Sequence, residues 1–256
     1  MGSNIVKISI ITASFNSAAT IEATLISVAG QTNANVEHII VDGGSTDGTL
    51  DIINRHRSGL SHVISEPDDG IYDAMNKGLA LATGEVVGIL NSDDLYAGPH
   101  VLEKIAGIFS NPSIDAAFAD LVYVRPDNLD RVVRFYSGSE FIPDKFAWGW
   151  MPPHPTFFVR RELYEQYGLF KTDYKIAADF ELTARFLFRH KVKYSYLPEV
   201  TVRMRTGGVS TRNLRSNWIL NREILRACSE NGINTNIFKV YSKYVSKVAQ
   251  LFVRPV

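Results

Sequence analysis

Four segments of the chain are rich in oxygen-bearing side chains: Thr12-Ala13-Ser14-Phe15-Asn16, Asp42-Gly43-Gly44-Ser45-Thr46-Asp47, Glu66-Pro67-Asp68-Asp69-Gly70 and Asn91-Ser92-Asp93-Asp94. Any one of them is ordinary turn chemistry, because Asp, Asn, Gly and Ser favour turns for local reasons. Brought together, three carboxylate-bearing turns would crowd negative charge into one crevice, which is costly unless a cation or hydrogen-bond donors meet it. An oxygen-rich set of this kind suits Mg²⁺ or Mn²⁺, ions that bridge a protein carboxylate to a diphosphate. His154, between Pro153 and Pro155, is a candidate further ligand, although a lone His in such a place more often packs or hydrogen bonds. No G-x-G-x-x-G or G-x-x-x-x-G-K-[ST] sequence follows the first segment, so phosphates would be held by metal and side chains rather than by a glycine loop.

The elements needed to position these residues are legible just before them. Strands are expected over Val6 to Thr12, Val36 to Val41, His62 to Ser65, Glu85 to Leu90 and Ala116 to Val124. Ile21, Leu25 and Val28 mark one intervening helix face, and Ile71, Met75, Leu79 and Ala82 another, with Gly84 as a stop. This alternation predicts parallel βαβ units, and in open α/β sheets ligands sit beyond the carboxyl ends of the strands. Residues 125–155, with Pro126, Pro143, Pro152 and Pro153, read as an irregular loop. Beyond it come a strand (Thr156 to Val159), a helix (Ala178 to His190), two strands (Lys193 to Leu197 and Thr201 to Arg205) and some 45 residues of helical character.

Composition sets the class. A 45% hydrophobic and 21% charged chain of 256 residues matches a soluble α/β domain with an appendage. No stretch reaches the roughly 18 apolar residues that span a bilayer. The run Ile5 to Ala13 contains Lys7 and no cleavage pattern, so it reads as a strand and not a signal peptide. The single Cys228 fits a reducing compartment, and a cytoplasmic protein is expected. The net charge of zero hides an asymmetry: fifteen Asp and Glu face five Lys and Arg over residues 1–120, against two and ten over 201–256. Ile237, Val240, Tyr241, Tyr244, Val245, Val248, Leu251 and Phe252 form an apolar stripe beside Lys239, Lys243 and Lys247. Residues 236–256 could thus lie on the inner face of the cytoplasmic membrane or pack on the protein. Nucleic acid is not an expected partner, since no binding motif accompanies the basic residues.

The motifs Ser9-Ile10-Ile11-Thr12 with Phe15-Asn16, Ile40-Val41-Asp42-Gly43-Gly44-Ser45-Thr46-Asp47-Gly48-Thr49, Asp69-Gly70-Ile71-Tyr72-Asp73-Ala74-Met75-Asn76-Lys77-Gly78 and Leu90-Asn91-Ser92-Asp93-Asp94 occur in order. In this the chain resembles the family 2 glycosyltransferases of the GT-A fold, and is similar in particular to bacterial enzymes that build colanic acid type exopolysaccharides, O-antigens and glycolipids. The resemblance runs from about residue 5 to about residue 210. It implies an α/β fold with a mostly parallel nucleotide-binding sheet flanked by helices and a C-terminal helical tail. The catalytic domain would span 1–210, divided into a nucleotide-sugar half (1–125) and an acceptor and base half (126–210), with the tail at 211–256.

The family's roles carry over by position. Asp42 would hydrogen bond the nucleobase, a uracil by preference, with Thr12 lining that pocket; Gly43, Asp69, Asp73 and Lys77 would surround the donor. Asp93 would contact the ribose and Asp94 would bind Mn²⁺ or Mg²⁺. Asp179, in Ala178-Asp179-Phe180-Glu181-Leu182, matches the catalytic base, with Glu181 as the neighbouring alternative. Asn91 replaces the first Asp of the longer carboxylate motif, and the basic residue that some members carry before the third helix is replaced around Gly70 and Ile71. The implied reaction moves a sugar from a nucleotide diphosphate to a saccharide or lipid-linked acceptor with inversion, as a hexosyltransferase does. A helix start would help keep Asp179 ionised. Phe146, Trp148, Trp150 and Met151 would form an acceptor wall or a small satellite core. A nucleotidyltransferase and a non-catalytic binding scaffold are the rival readings.

Overall fold

The computed structural model describes residues 6–32, 35–207 and 214–242. Strand β1 (Lys7–Ser14) lies inside a sheet, parallel to β2 (Asn35–Asp42) on one side and β4 (Val86–Ile89) on the other, with β3 (His62–Ser65) parallel to β2 at the edge. Burial on both faces explains the uninterrupted apolar run from Ile8 to Ile11 apart from Ser9. Helices α1 (Ile21–Ala29), α2 (Thr49–Arg55) and α3 (Ile71–Leu81) make the crossovers. Thus the four acidic or polar turns of this half gather at one edge of four strands.

The second half is mixed. It adds β5 (Asp94–Tyr96), α4 (Val101–Phe109), β6 (Ala116–Arg125), β7 (Asn128–Tyr136), β8 (Phe158–Arg160), α5 (Glu162–Tyr167), α6 (Ala178–Ala184), β9 (Tyr194–Arg205) and α7 (Leu214–Glu230). The sheet order is β3-β2-β1-β4-β8-β6-β9-β5, with β7 paired to β6. Here β6 and β9 run parallel while the β4–β8, β6–β8, β6–β7 and β5–β9 pairs are antiparallel.

Three segments differ from expectation. The start of the 125–155 loop is strand β7, an exposed edge strand whose alternation is masked by its exposed Val132 and Val133. The two late strands are one, β9: its register against β6 jumps from Ala119↔Leu197 to Asp120↔Val200, so Pro198 and Glu199 are looped out as a bulge. A proline has no N–H to give a ladder, and the bulge accommodates it. Helix α6 passes into a π turn over Arg185–Arg189 rather than continuing as α-helix to His190.

One sheet face carries a core of aromatic rings, Phe118, Phe141, Phe146, Phe180 and Phe186, roofed by α3, α6 and α7. Helix α7 contributes Ile224, Ala227 and Cys228 to it, so this part of the 211–256 segment is packed into the same core as α6. The opposite face packs Leu102, Ile105 and Phe109 of α4 on Ile8, Ile10 and Phe158. Phe146 is fully buried, and Trp150 and Met151 pack against the same core, which leaves Trp148 as the exposed member of the expected aromatic wall.

Candidate active site

Asp94 opens β5 and is 0% exposed, yet neither of its carboxylate oxygens has a hydrogen-bond partner. Its backbone is firmly placed: the Thr24 hydroxyl donates to its carbonyl at 2.7 Å, and its N–H donates to the Asn91 carbonyl at 3.0 Å. Burial, reinforced by the charge of Asp93, pushes the Asp94 carboxyl well above the usual range, against the opposing pull of Arg205. Asp93 is partly exposed and is also raised by burial. The Arg205 guanidinium donates to the Asp93 carbonyl at 2.5 Å and so pins the acidic turn to the end of β9.

A buried, unpartnered carboxylate beside a second carboxylate is a costly arrangement that a divalent cation would relieve. The donor set fits a hard ion held by one or two protein oxygens, the rest of its shell coming from phosphate and water. No group of three or more His, Cys, Asp or Glu side chains able to hold a metal ion occurs among the described residues.

Asp42 is buried at the end of β2, where its oxygens accept from the hydroxyls of Ser14, Ser45 and Ser65 and from the N–H groups of Gly44 and Ser45. Burial raises its pKa, but these bonds outweigh it and hold the carboxyl below the usual range. A carboxylate has about four lone-pair sites. Five donors converge on them, so Asp42 is held firmly in place and shapes the Gly43-Gly44-Ser45 turn. Thr12 likewise faces inward, with its hydroxyl 3.1 Å from His38 Nε2 inside the sheet. Burial holds His38 down at about 3, which keeps that ring neutral.

Around this turn the loops are cross-braced. Asn16, at φ 46°, receives the Thr46 N–H on its Oδ1 and gives its own N–H to Ser45 Oγ. Asn is one of the few residues that tolerate this left-handed backbone. Gly43 lies against Asp68, whose Oδ2 would be 2.5 Å from any added Cβ. Lys77 reaches back from α3 to Glu66 at 2.9 Å, Asp73 at 3.3 Å and the Pro67 carbonyl at 3.2 Å. It thus ties the 66–70 loop to the helix. Asp73 also accepts the Asp69 N–H, and Asp69 itself is exposed at the rim.

Asp179 is the second residue of α6, and the Phe180 N–H donates to its Oδ1 at 2.8 Å. The helix start alone would favour ionisation. Burial prevails and raises its carboxyl, with His154 pulling the other way. His154 is therefore a neighbour of Asp179, and burial holds this histidine below its ordinary pKa. Glu181 is fully buried and paired with Lys171 and Arg185, both at 2.9 Å, which removes it from contention as the base.

The two carboxylate centres share one neighbour. Tyr123 in β6 feels the charge of both Asp94 and Asp179, and strand register sets Arg134, Tyr123, Met204 and Asp94 in one row across β7, β6, β9 and β5. Arg134 stacks 3.9 Å from the Tyr123 ring centre and makes no ion pair among the described residues.

A comparison with sequence families matches residues 9–168 to the family described as Glycosyl transferase family 2. The chain belongs to this family. It is 33% identical over 224 residues to a PGL/p-HBAD biosynthesis glycosyltransferase of Mycobacterium bovis, covering 85% of this chain and 82% of the relative. An uncharacterized glycosyltransferase of Mycobacterium tuberculosis is 34% identical over 187 residues, 70% of this chain and 68% of its own. Among solved structures, S. aureus TarS 1-349 in complex with UDP superposes with a TM-score of 0.65 at 20% identity, over 93% of this chain and 70% of that one. A mannosyltransferase from Pyrobaculum calidifontis in complex with GDP-Man and Mn²⁺ gives 0.57 at 20% identity, over 97% and 81%. The fold is of GT-A type.

In this glycosyltransferase several residues of the site lie outside the motifs. Ser14 and Ser65 end two strands next to β2, and only the register reveals that they converge on Asp42. Tyr123, Arg134 and His154 come from elements that the sequence showed as a strand interior, a loop and a proline-flanked turn. Phe15, within the first segment, is 63% exposed beside the Asp42 turn and presents a free aromatic face there.

Proposed function

We propose that this family 2 glycosyltransferase transfers a hexose from a UDP-sugar to a hydroxyl of a saccharide or lipid-linked acceptor, with inversion, in a single displacement. What supports this reading is that Asp94, a buried carboxylate whose oxygens have no hydrogen-bond partner, and Asp179 both act electrostatically on Tyr123, so that a metal-holding carboxylate and a proton-accepting one would serve one site. The reported complexes of TarS with UDP and UDP-GlcNAc support a uridine nucleotide, while the GDP-Man complex of the mannosyltransferase shows that the fold also serves another base.

Asp94, assisted by Asp93, would hold Mn²⁺ or Mg²⁺; bound there, the ion would supply positive charge toward the diphosphate leaving group, an effect worth several kcal/mol. The chain's own residues do the rest. Asp179 accepts the proton of the acceptor hydroxyl as its oxygen bonds to the anomeric carbon, a general-base effect of roughly 10²- to 10⁴-fold. Burial raises its affinity for that proton, and the facing His154 limits the rise. The braced 42–46 and 66–70 loops form the donor-facing wall, and Lys77 keeps the second of them closed on α3.

The direct test is Asp179→Asn. Transfer, or hydrolysis of UDP-GlcNAc and UDP-glucose, should fall by at least about 100-fold, while UDP binding in Mn²⁺ stays within about twofold. Full activity in that variant rejects the assignment.

Peripheral membrane contact belongs to the same proposal. Phe238 is 83% exposed next to exposed Ile237, and Lys239 lies 5.5 Å from the ring centre of the exposed Trp148. Aromatic and basic groups on one surface suit an anionic lipid interface. Tyr244 to Phe252 of the expected stripe lie outside the described residues. No helix among the described residues is long and apolar enough to cross a membrane. Flotation with phosphatidylglycerol vesicles should be lost in Phe238→Ser; equal flotation of the two proteins removes this contact.

A further inference from the structure

The segment that carries Asp179 is held by a residue far outside the family-matched region. Glu223, midway along α7, accepts the three consecutive backbone N–H groups that lead into α6: Lys175 at 2.8 Å on Oε1, and Ile176 and Ala177 at 2.9 Å each on Oε2. The first N–H groups of a helix have no partner within it, and the N-cap residue here, Ala177, has no side chain able to accept them. A carboxylate from another helix instead binds the three N–H groups that lead up to the helix and end at the N-cap Ala177, and bonds from N–H to an ionised acceptor are stronger than neutral ones. From the other side, the Tyr72 hydroxyl donates to the Ile176 carbonyl at 2.6 Å. Both polar groups of the Ile176 backbone are therefore fixed by side chains, and Asp179 follows two residues after the capped Ala177.

We propose that Glu223 is a positioning residue for catalysis, fixing the 175–177 backbone so that the Asp179 carboxylate is aimed at the acceptor hydroxyl. This rests on the assignment of Asp179 as the base. The family match ends at residue 168, so neither partner of the Glu223 contact falls within it. A cap that only strengthened the helix would change stability and nothing else. Glu223 has a second reach: burial is the main cause that raises the Asp179 carboxyl, the Glu223 charge adds to the rise and His154, from the turn before β8, opposes it. The phenols of Tyr72 from α3, Tyr123 from β6 and Tyr136 from β7 in turn lie within reach of the Asp179 charge. Removing that negative charge makes proton uptake by Asp179 harder, so the titration midpoint of Asp179 moves to lower pH.

The experiment compares wild type, Glu223→Gln, Glu223→Asp and Asp179→Asn. The Asp179 carboxyl signal, assigned in ¹³C-aspartate-labelled protein by its loss in Asp179→Asn, is titrated in each folded variant, and hydrolysis of UDP-GlcNAc and UDP-glucose is followed with Mn²⁺. In Glu223→Gln the midpoint should fall and kcat drop about tenfold, with KM for the donor within twofold. Glu223→Asp, which keeps the charge on a shorter arm, should hold the midpoint near wild type while kcat still falls several-fold, because the 175–177 backbone is no longer fixed in place. If the midpoint and kcat of Glu223→Gln match wild type while Asp179→Asn is inactive, Glu223 is only a helix cap and the proposal falls. If Asp179→Asn is itself fully active, the base assignment fails instead. Should Glu223→Gln not fold, Glu223→Asp carries the test through its geometry: a shorter arm that leaves kcat unchanged overturns the positioning role.

Discussion

The Tyr72 hydroxyl lies 2.6 Å from the Ile176 carbonyl, a bond that spans 104 positions and joins the helix below the donor loops to the lead-in of the Asp179 helix. Tyr72 is otherwise a core residue, its ring stacked with Phe170 at 5.9 Å. A single side chain thus transmits the placement of α3 to the residue proposed as base.

Tyr72→Phe retains the stacked ring and removes only the hydroxyl. Leaving the Ile176 carbonyl without its partner should cost about 1 kcal/mol, which for a chain of this size is roughly 2–4 °C in Tm. If the bond also orients α6, kcat for donor hydrolysis falls several-fold while UDP affinity is kept. Calorimetry and steady-state kinetics on one preparation read both; a stability loss with unaltered kcat would confine the bond to a structural role.

Gly43 offers a test of the donor wall. Its missing side chain is what lets Asp68 approach, and a Cβ there would sit 2.5 Å from Asp68 Oδ2 and 3.1 Å from Cγ. The carboxyl end is flexible enough to swing away, so Gly43→Ala should leave Tm within a few degrees. The displaced Asp68 would release the Gly70 N–H that it now accepts at 2.9 Å. The expected result is UDP binding weakened by about tenfold by titration calorimetry, or roughly 1.4 kcal/mol. Undiminished binding would mean that the 66–70 loop does not face the nucleotide.

How much of this the sequence disclosed depends on the range of the interactions. The parallel half was legible because β1, β2 and β4 are buried on both faces and so read as short, mostly apolar runs, broken at Ser9, Glu37 and His38 and followed by Asp, Asn, Ser and Gly. Strand β7 was hidden because an edge strand with its outer side in water needs no such run, and β9 was split in two by Pro198. Asp42, Asp93, Asp94 and Asp179 stood out as motifs, whereas the partners of Asp42 did not, since Ser14 and Ser65 arrive from neighbouring strands. Glu223 gave no signal at all: a carboxylate on a helix face reads as a solvated charge until the fold brings the 175–177 backbone against it.

Glu37 predicts a pH dependence of stability. It is buried in β2, where it accepts from Lys7 at 3.1 Å, from Ser9 and Thr83 hydroxyls and from the Thr83 N–H at 2.8 Å. Burial alone would raise its carboxyl, but the bonds from Ser9, Thr83 and Lys7 prevail and bring it from 4.5 down to about 2. A depressed folded-state pKa contributes stability that is complete above the unfolded value and disappears as pH falls through the folded one. Glu37→Gln should therefore lose roughly 3 kcal/mol at pH 7, and the gap from wild type should close between about pH 4.5 and pH 2. Urea unfolding at pH 7, 4 and 2.5 measures it; a gap that is the same at all three would assign the loss to packing.

The unpartnered oxygens of Asp94 lead to a prediction with opposite signs in two conditions. In metal-free protein this carboxylate is fully buried beside Asp93, and burial outweighs the pull of Arg205, so its charge opposes folding. Asp94→Asn removes that charge at nearly constant volume, and the metal-free variant should melt at the wild-type temperature or a few degrees above it. With UDP and Mn²⁺ the order reverses. A ligand that binds only the folded state adds RT ln(1 + [L]/Kd), about 2.7 kcal/mol at a hundredfold excess over Kd, and the variant should forfeit the Mn²⁺-dependent part of that gain. Asp93→Asn, tested beside it, reveals which of the two carboxylates dominates. Should Asp94→Asn melt well below wild type without metal and still respond fully to Mn²⁺ with UDP, Asp94 would be a structural carboxylate and the cation would have to be held elsewhere in the crevice.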